Sequence, residues 1–176
     1  MAAQTEVRVF HGGAPGLGVD VTGQTLRFKR ADNDAQDSAN LVPVPAAGLA
    51  YSWRKSFKLV MLTAPDNEIS DLRFFADAGS LGTGRRILFA RSAAYNQATA
   101  ADETVPISAV DVTTKTSGSP ESIQPGVLAT NSDTFPTAAG TAGSQDHVEL
   151  QVEQGPTATV GNAAAAMTVR YRYTES

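Results

Sequence analysis

The chain has 176 residues, a net charge of −4, no cysteine, and 18% charged residues against roughly 25% in a typical soluble domain. The acidic balance argues against a nucleic-acid partner, and the lack of cysteine excludes disulfides and Cys-based zinc sites. No apolar run approaches the ~18 residues of a membrane span, and residues 1–6 lack the basic and apolar parts of a signal peptide. We expect one domain over residues 1–176 that stays in the cytoplasm or is built into a larger structure there.

The first thirty residues predict short strands around a glycine turn. Residues 5–10 alternate apolar and polar side chains, and residues 24–30 do the same, with Leu26 and Phe28 on one face. Between them, residues 11–18 contain four glycines and a proline. This turn lacks the Gly-Lys-Ser/Thr sequence and the following helix of a phosphate-binding loop, so we expect no nucleotide site.

The acidic loop at residues 31–37 is a weak candidate for a cation site. Its carboxylates, Asp32, Asp34 and Asp37, partly match the ligand pattern of a calcium-binding loop. The glycine at the sixth position and the distal glutamate of such a loop are missing. A solvated acidic loop is therefore favoured over a metal site, and no cofactor is expected.

Residues 40–48 contain two prolines, Pro43 and Pro45, which force extended backbone and cannot donate to a strand ladder. We expect an edge or a lead-in here, and both prolines are candidate interface residues.

The following residues, 51–62, predict one strand. Alternation places five large side chains on one face with Lys55 as an interruption, and these are Tyr51, Trp53, Phe57, Leu59 and Met61.

Two further strands are predicted at residues 69–76 and 85–91, joined by a glycine turn. In the first, Leu72 and Phe74 are expected on the face opposite Ile69.

Residues 92–146 are rich in Ala, Thr, Ser, Gly and Pro, with apolar residues in islands. A structureless loop of this length is uncommon in a compact domain. Either short strands occur near residues 105–112 and 127–128, or the segment leaves the domain as an arm. Its candidate interface residues are Val105, Ile107, Ile123, Val127, Leu128 and Phe135.

The C-terminal part predicts two more strands, at residues 147–152 and 165–173, because apolar and polar residues again alternate. About eight strands without a convincing long helix indicate an all-β fold. We predict an antiparallel β-sandwich, jelly-roll-like, with residues 92–146 as a long irregular loop or arm.

No motif in the sequence predicts an enzyme. The two histidines, His11 and His147, lie far apart in the chain, and no Gly-x-Ser-x-Gly elbow is present. Exposed Tyr51, Trp53 and Tyr95 would allow sugar stacking, as in a carbohydrate-binding module. A core position for Trp53 is the favoured alternative, because its predicted face continues into Phe57.

Four stretches between residues 24 and 99 resemble a group of tailed-bacteriophage virion structural proteins. They are FKRADND (28–34), YSWRKSFKL (51–59), PDNEISDLRFF (65–75) and YNQAT (95–99). These motifs are structural, so the resemblance implies no active-site residues.

The resemblance implies a component of the virion, assembled in the host cytoplasm. The expected function is that of a capsid decoration (cement) protein that binds the major capsid protein or other virion proteins, as a homo-oligomer with a trimer favoured. A neck, tail or fibre protein is the first alternative, and a carbohydrate-binding β-sandwich module is the second.

Overall fold

The computed structural model describes residues 3–14, 16–35, 39–63, 69–101, 109–125, 144, 146–159 and 167–175. Within these residues the regular structure is β-strand apart from one 3-10 turn at Val112–Thr114, and all strand pairs are antiparallel. The predicted all-β, antiparallel class is confirmed.

The described strands form two sheets. In chain order they are β1 (Gln4–Phe10), β2 (Val19–Asp20), β3 (Ala50–Tyr51), β4 (Lys55–Thr63), β5 (Ile69–Ala78), β6 (Arg85–Ser92), β7 (Val110–Asp111), β8 (Glu121–Ser122), β9 (His147–Gln154) and β10 (Thr168–Glu175). The larger sheet has the order β2-β1-β4-β9-β6-β7, with β3 pairing β9, and the smaller sheet has the order β10-β5-β8.

The two sheets share one apolar core. The larger sheet contributes Phe57 and Leu150, the smaller sheet contributes Leu72 and Phe74, and all four are buried. Phe74 stacks on Phe89 of β6 with ring centroids 5.4 Å apart and planes at 10°. Burying each such side chain contributes about 1.5–3 kcal/mol, so this layer is the main source of stability. A jelly-roll order of the strands stays a prediction.

The single strand predicted over residues 51–62 is interrupted at residues 52–54. Tyr51 pairs with Glu153 and Lys55 pairs with Leu150, so a step of four residues faces a step of three. The extra residue is a β-bulge, and it reverses the alternation of side chains. Tyr51 therefore lies on the opposite face from Phe57, and the predicted shared face is wrong.

A second bulge lies in β5 at Asp71, whose φ of +50° is in the left-handed region that Asp tolerates better than most residues. Because of the extra residue, Ile69 and Leu72 both reach the core although they are three positions apart. The prediction that Ile69 lies opposite Leu72 is wrong for this reason.

The strand predicted at residues 24–30 is absent from the structure. Leu26 and Phe28 still pack against the core. The backbone groups that follow Phe28 form single hydrogen bonds and no strand ladder. The Lys29 carbonyl accepts from the Trp53 N–H at 2.8 Å, and the Arg30 N–H donates to Asn40 O at 2.7 Å. The apolar alternation in residues 24–30 therefore reflects side chains that pack on the core from an irregular segment, and not a strand.

Two parts of the 92–146 region pack on the sheets. Strand β7 pairs with β6, and β8 pairs with β5. The predicted short strand near residues 105–112 corresponds in part to β7, while residues 102–108 and 127–128 lie outside the described residues.

Gly84 is predicted to be more sensitive to substitution than Gly82 in the same turn before β6. Its φ is +72°, and a Cβ there would lie 2.5 Å from Ala158 N, whereas Gly82, with a φ of +83°, has open space around it. We expect Gly84→Ala to lower the free energy of unfolding by about 2–4 kcal/mol and Gly82→Ala by about 1 kcal/mol. Chemical denaturation measures both, and equal losses would contradict the close contact with residue 158.

Candidate functional site

Strand β9 is buried on both of its faces. Val148 and Leu150 point into the apolar core, while the alternate residues His147, Glu149 and Gln151 are also buried. A strand that is polar on one face normally turns that face to water. Here the polar face belongs to the interior, and it is the densest group of buried polar side chains among the described residues.

The segment at residues 92–101, which follows β6, lies over this polar face. Arg54 Nη2 donates to Asn96 O at 3.1 Å, and Gln151 Nε2 donates to Ala101 O at 3.3 Å and to Ser52 O at 2.7 Å. The Arg54 guanidinium and the Gln151 amide thus donate to backbone carbonyls where water would otherwise be needed. We call residues 92–101 the covering segment.

An aromatic cluster closes one end of the polar face. The His147 ring lies 5.5 Å from Phe10 in an edge-on arrangement and 6.1 Å from Tyr95, measured between centroids. The Tyr95 hydroxyl donates to Gly12 O at 2.8 Å. Burial, followed by the charge of Asp32, raises the pKa of Tyr95 to about 12. This tyrosine therefore stays a neutral hydrogen-bond donor.

His147 is held neutral in this cluster. Its ring is 7% exposed, and no described group hydrogen-bonds to Nδ1. Burial above all, and then the positive charge of Lys58, lower the pKa of His147 to about 4, while Asp146 opposes the shift. His147 is therefore a neutral packing residue. Its burial should make the fold less stable in acid, because the charged imidazolium is disfavoured in the folded state.

The carboxylates of the polar face contact basic side chains. Arg54 Nε lies 3.8 Å from Glu149 Oε2, and both side chains are nearly inaccessible. Arg86 binds Glu153 through two contacts, of 2.6 Å and 3.1 Å. No group of three or more potential metal ligands occurs within the described residues. The arrangement neutralises charge within the fold.

The acidic loop supplies the counter-charge for a buried lysine, Lys55. The Lys55 ammonium is 2% exposed, donates to Asn33 O at 3.1 Å, and is bonded to Asp34 Oδ1. The other oxygen of Asp34, Oδ2, lies 2.8 Å from His11 Nε2.

Asp32 faces different donors. Its Oδ2 accepts from Gly12 N at 2.8 Å and from Gln97 Nε2 at 3.0 Å. Asp37 lies outside the described residues. The interpretation of this loop as solvated is therefore corrected for Asp32 and Asp34, which bind protein donors, and neither is arranged around a metal position.

The candidate interface residues fall into three groups. Pro43 is exposed and Pro45 is half-buried, both in the segment that leads into β3. Ile123 is 2% exposed and packs in the core, so its assignment to an interface is corrected. Outside the described residues lie Val105, Ile107, Val127, Leu128 and Phe135.

The three aromatic residues considered for sugar stacking do not form one surface. Tyr95 packs with Phe10 and His147, and Tyr51 packs beside Leu88 and Ala90. Trp53 is half-buried at the bulge, and its backbone N–H donates to Lys29 O.

The comparisons with known proteins give no relative. No family model matches the chain, and no curated protein or solved structure does. Over the described residues, no helix has the length and apolarity that a membrane crossing requires.

Removing the charge of Asp34 is expected to destabilise the fold, because the Lys55 ammonium would remain buried without a counter-charge. We expect Asp34→Asn to lower the free energy of unfolding by about 2–3 kcal/mol, below the 3–5 kcal/mol of a fully buried pair since Asp34 is partly exposed. Lys55→Met in the same chain should recover most of the loss. Urea denaturation of both single variants and the double variant measures this coupling.

Asp32→Asn is the matched control for that experiment, because it keeps an oxygen acceptor for the neutral donors Gly12 N and Gln97 Nε2. Calcium should leave the melting temperature of the native chain unchanged. A rise in melting temperature with calcium, lost in Asp34→Asn, would restore the cation-site interpretation.

The stability of the fold is expected to fall in mild acid because of His147. The unfolded chain takes up a proton near pH 6.5, but the folded chain resists it until about pH 4. His147 therefore does not lower the free energy of unfolding above pH 6.5. Between pH 7 and pH 5 it should lower this free energy by about 2 kcal/mol. In His147→Gln this part of the pH dependence should vanish, whereas His11→Gln serves as the control. An unchanged pH profile in His147→Gln would contradict the prediction.

Proposed function

We propose that the chain is a non-enzymatic structural component of a tailed-bacteriophage particle and that it acts as a capsid decoration (cement) protein. In this role it binds and stabilises the lattice of the major capsid protein. The resemblance of residues 24–99 to virion structural proteins supports the class. The internal ion pairs of Arg54 with Glu149 and of Lys55 with Asp34 also suit a scaffold, because these charged groups are used to hold the fold together.

The observation that carries the binding role is an apolar ribbon at residues 41–49, LVPVPAAGL. It has no charged side chain and belongs to no strand. Leu41 is 63% exposed and Leu49 is 51% exposed, and Pro43 between them is exposed as well. Its ends are anchored, since Asn40 O accepts from Arg30 N and Ala50 begins β3. An anchored and uncharged surface segment with exposed apolar side chains is suited to lie against another protein.

Several copies acting together make such a surface effective. One ribbon buries a modest apolar area and binds weakly on its own. In a trimer, three ribbons contact neighbouring capsid subunits at once, and the second and third contacts form at high effective concentration. The proposal therefore includes a homotrimer seated on the capsid surface.

The test uses expanded, empty capsids of the phage that encodes the chain. The purified chain should sediment with them and raise their melting temperature. Leu41→Asp combined with Leu49→Asp should weaken binding at least about tenfold, because it removes about 2 kcal/mol of apolar burial and adds charge to the contact. Leu62→Asp is the matched control, since Leu62 is 45% exposed at the end of β4, outside the ribbon.

Other results of this experiment would favour one of the alternative functions. Absence of binding to empty capsids would exclude decoration, and binding to complete tailed particles alone would favour a neck, tail or fibre position. Glycan binding that is lost in Trp53→Ala, with the fold retained, would favour the carbohydrate-binding module.

A further inference from the structure

Strand β10 lies at the edge of the smaller sheet among the described strands. It has eight residues, Thr168–Glu175, and within the described part of the chain it pairs with β5 alone. In an antiparallel pair every second residue directs its backbone N–H and C=O away from the partner. A long edge strand with such groups accepts a further strand unless proline, charged side chains or an irregular backbone protect it.

The protection of this edge is weak in its middle. The sequence TVRYRYTE contains no proline, and the charged residues in its middle, Arg170 and Arg172, repel only a strand that carries positive charge there. The pairing with β5 is irregular towards both ends of the strand but regular from Val169 to Arg172. Four consecutive residues thus keep the flat geometry that strand addition requires.

The inner face of β10 is incompletely covered. Val169 and Tyr171 are half-buried, whereas Leu72 and Phe74 on the adjacent strand β5 are fully buried. An apolar cavity of about 50 Å³ lies between the sheets here, with both β10 residues in its wall and Phe57 on the opposite side. A further strand at this edge would cover these side chains with its own apolar residues, which point inward at alternate positions.

The outer face of β10 carries positive charge with the same alternate spacing. The Arg170 side chain is 58% exposed, and its Nε contacts Asp77 at 2.7 Å, which uses one of its five N–H donors. Arg172 lies over the Phe75 ring at 5.8 Å and stands opposite Arg73 in the ladder. Carboxylates two residues apart on an incoming strand would therefore meet two guanidinium groups.

This charge pattern also argues against β10 of a second copy of the chain as the added strand. An antiparallel pairing of two β10 strands about their centre would place Arg170 of one chain beside Arg172 of the other. Like charges directly opposite each other destabilise a strand pair.

We propose that the β10 edge binds an extended segment of another protein in which apolar residues alternate with Asp or Glu. The segment adds as a new edge strand, with its apolar residues facing the cavity and its carboxylates facing Arg170 and Arg172. The inference does not depend on the capsid proposal, since it rests on the β10 edge rather than on the apolar ribbon.

The test uses two synthetic peptides, one alternating Val and Glu and one alternating Val and Lys, each about eight residues long between soluble ends. Binding is followed by fluorescence anisotropy of labelled peptides, and the location by amide NMR shifts. The acidic peptide should bind at least about tenfold more tightly than the basic one, with shifts centred on β10. Raising the salt from about 50 mM to about 500 mM should reduce this preference. A proline at the centre of the acidic peptide should abolish binding, because it removes a ladder donor.

Variants assign the charge preference to its residues. Arg170→Gln with Arg172→Gln should bring the two peptides within about twofold of each other while the melting temperature stays close to that of the native chain. Arg27→Gln is the matched control, because Arg27 is an exposed arginine outside β10. Equal binding of the two peptides by the native chain, or shifts located away from β10, would overturn the proposal. Slow hydrogen exchange of every β10 amide in the free chain would also overturn it, since the edge would then already be occupied.

Discussion

The rest of the structure depends on the burial of β9 on both faces. Its apolar side joins the core between the sheets, and its polar side is closed by the covering segment. A strand of this kind constrains its neighbours, because most buried polar atoms have to meet a partner within hydrogen-bond distance. The positions of Arg54, Ser52 and Tyr95 follow from that requirement, as does the anchoring of the covering segment by Asn96 and Ala101.

The bulge at residues 52–54 links this polar layer to the acidic loop. Without the extra residue, a strand continued from Tyr51 would place Lys55 on the polar face and Arg54 on the face of the core. With it, the Lys55 side chain enters on the side of Leu150 and extends to Asp34. The aspartate in turn contacts His11. One inserted backbone residue thus determines where a buried ammonium lies and which loop has to cover it.

The sequence predicted the fold class and most of the long strands, because alternation over β1, β4, β6, β9 and β10 is regular. It failed where the alternation is reset, at the bulges near Trp53 and at Asp71, since a period of two carries no information about an extra residue. It also failed at residues 24–30, where Leu26 and Phe28 alternate as in a strand but enter the core from an irregular segment.

The candidate site was less predictable than the fold. Asp32 and Asp34 were recognised as a group, but the sequence contains no signal that their partners are Gly12, Gln97 and Lys55. The polar face of β9 was missed for a related reason. Alternation divides a strand into two faces, but whether solvent or another segment covers the second face depends on residues far away in the chain.

The central position of β9 has a consequence for how the chain is made. In the sheet, β9 lies between β4 and β6, yet it follows β6 in sequence by more than fifty residues. During synthesis, β4 and β6 emerge first and leave two unpaired apolar edges until residues 147–154 arrive. Late insertion of a central strand slows folding and prolongs the time for which the unpaired edges of β4 and β6 are exposed. The interval in which residues 92–146 are synthesised is therefore the period in which these edges can pair wrongly.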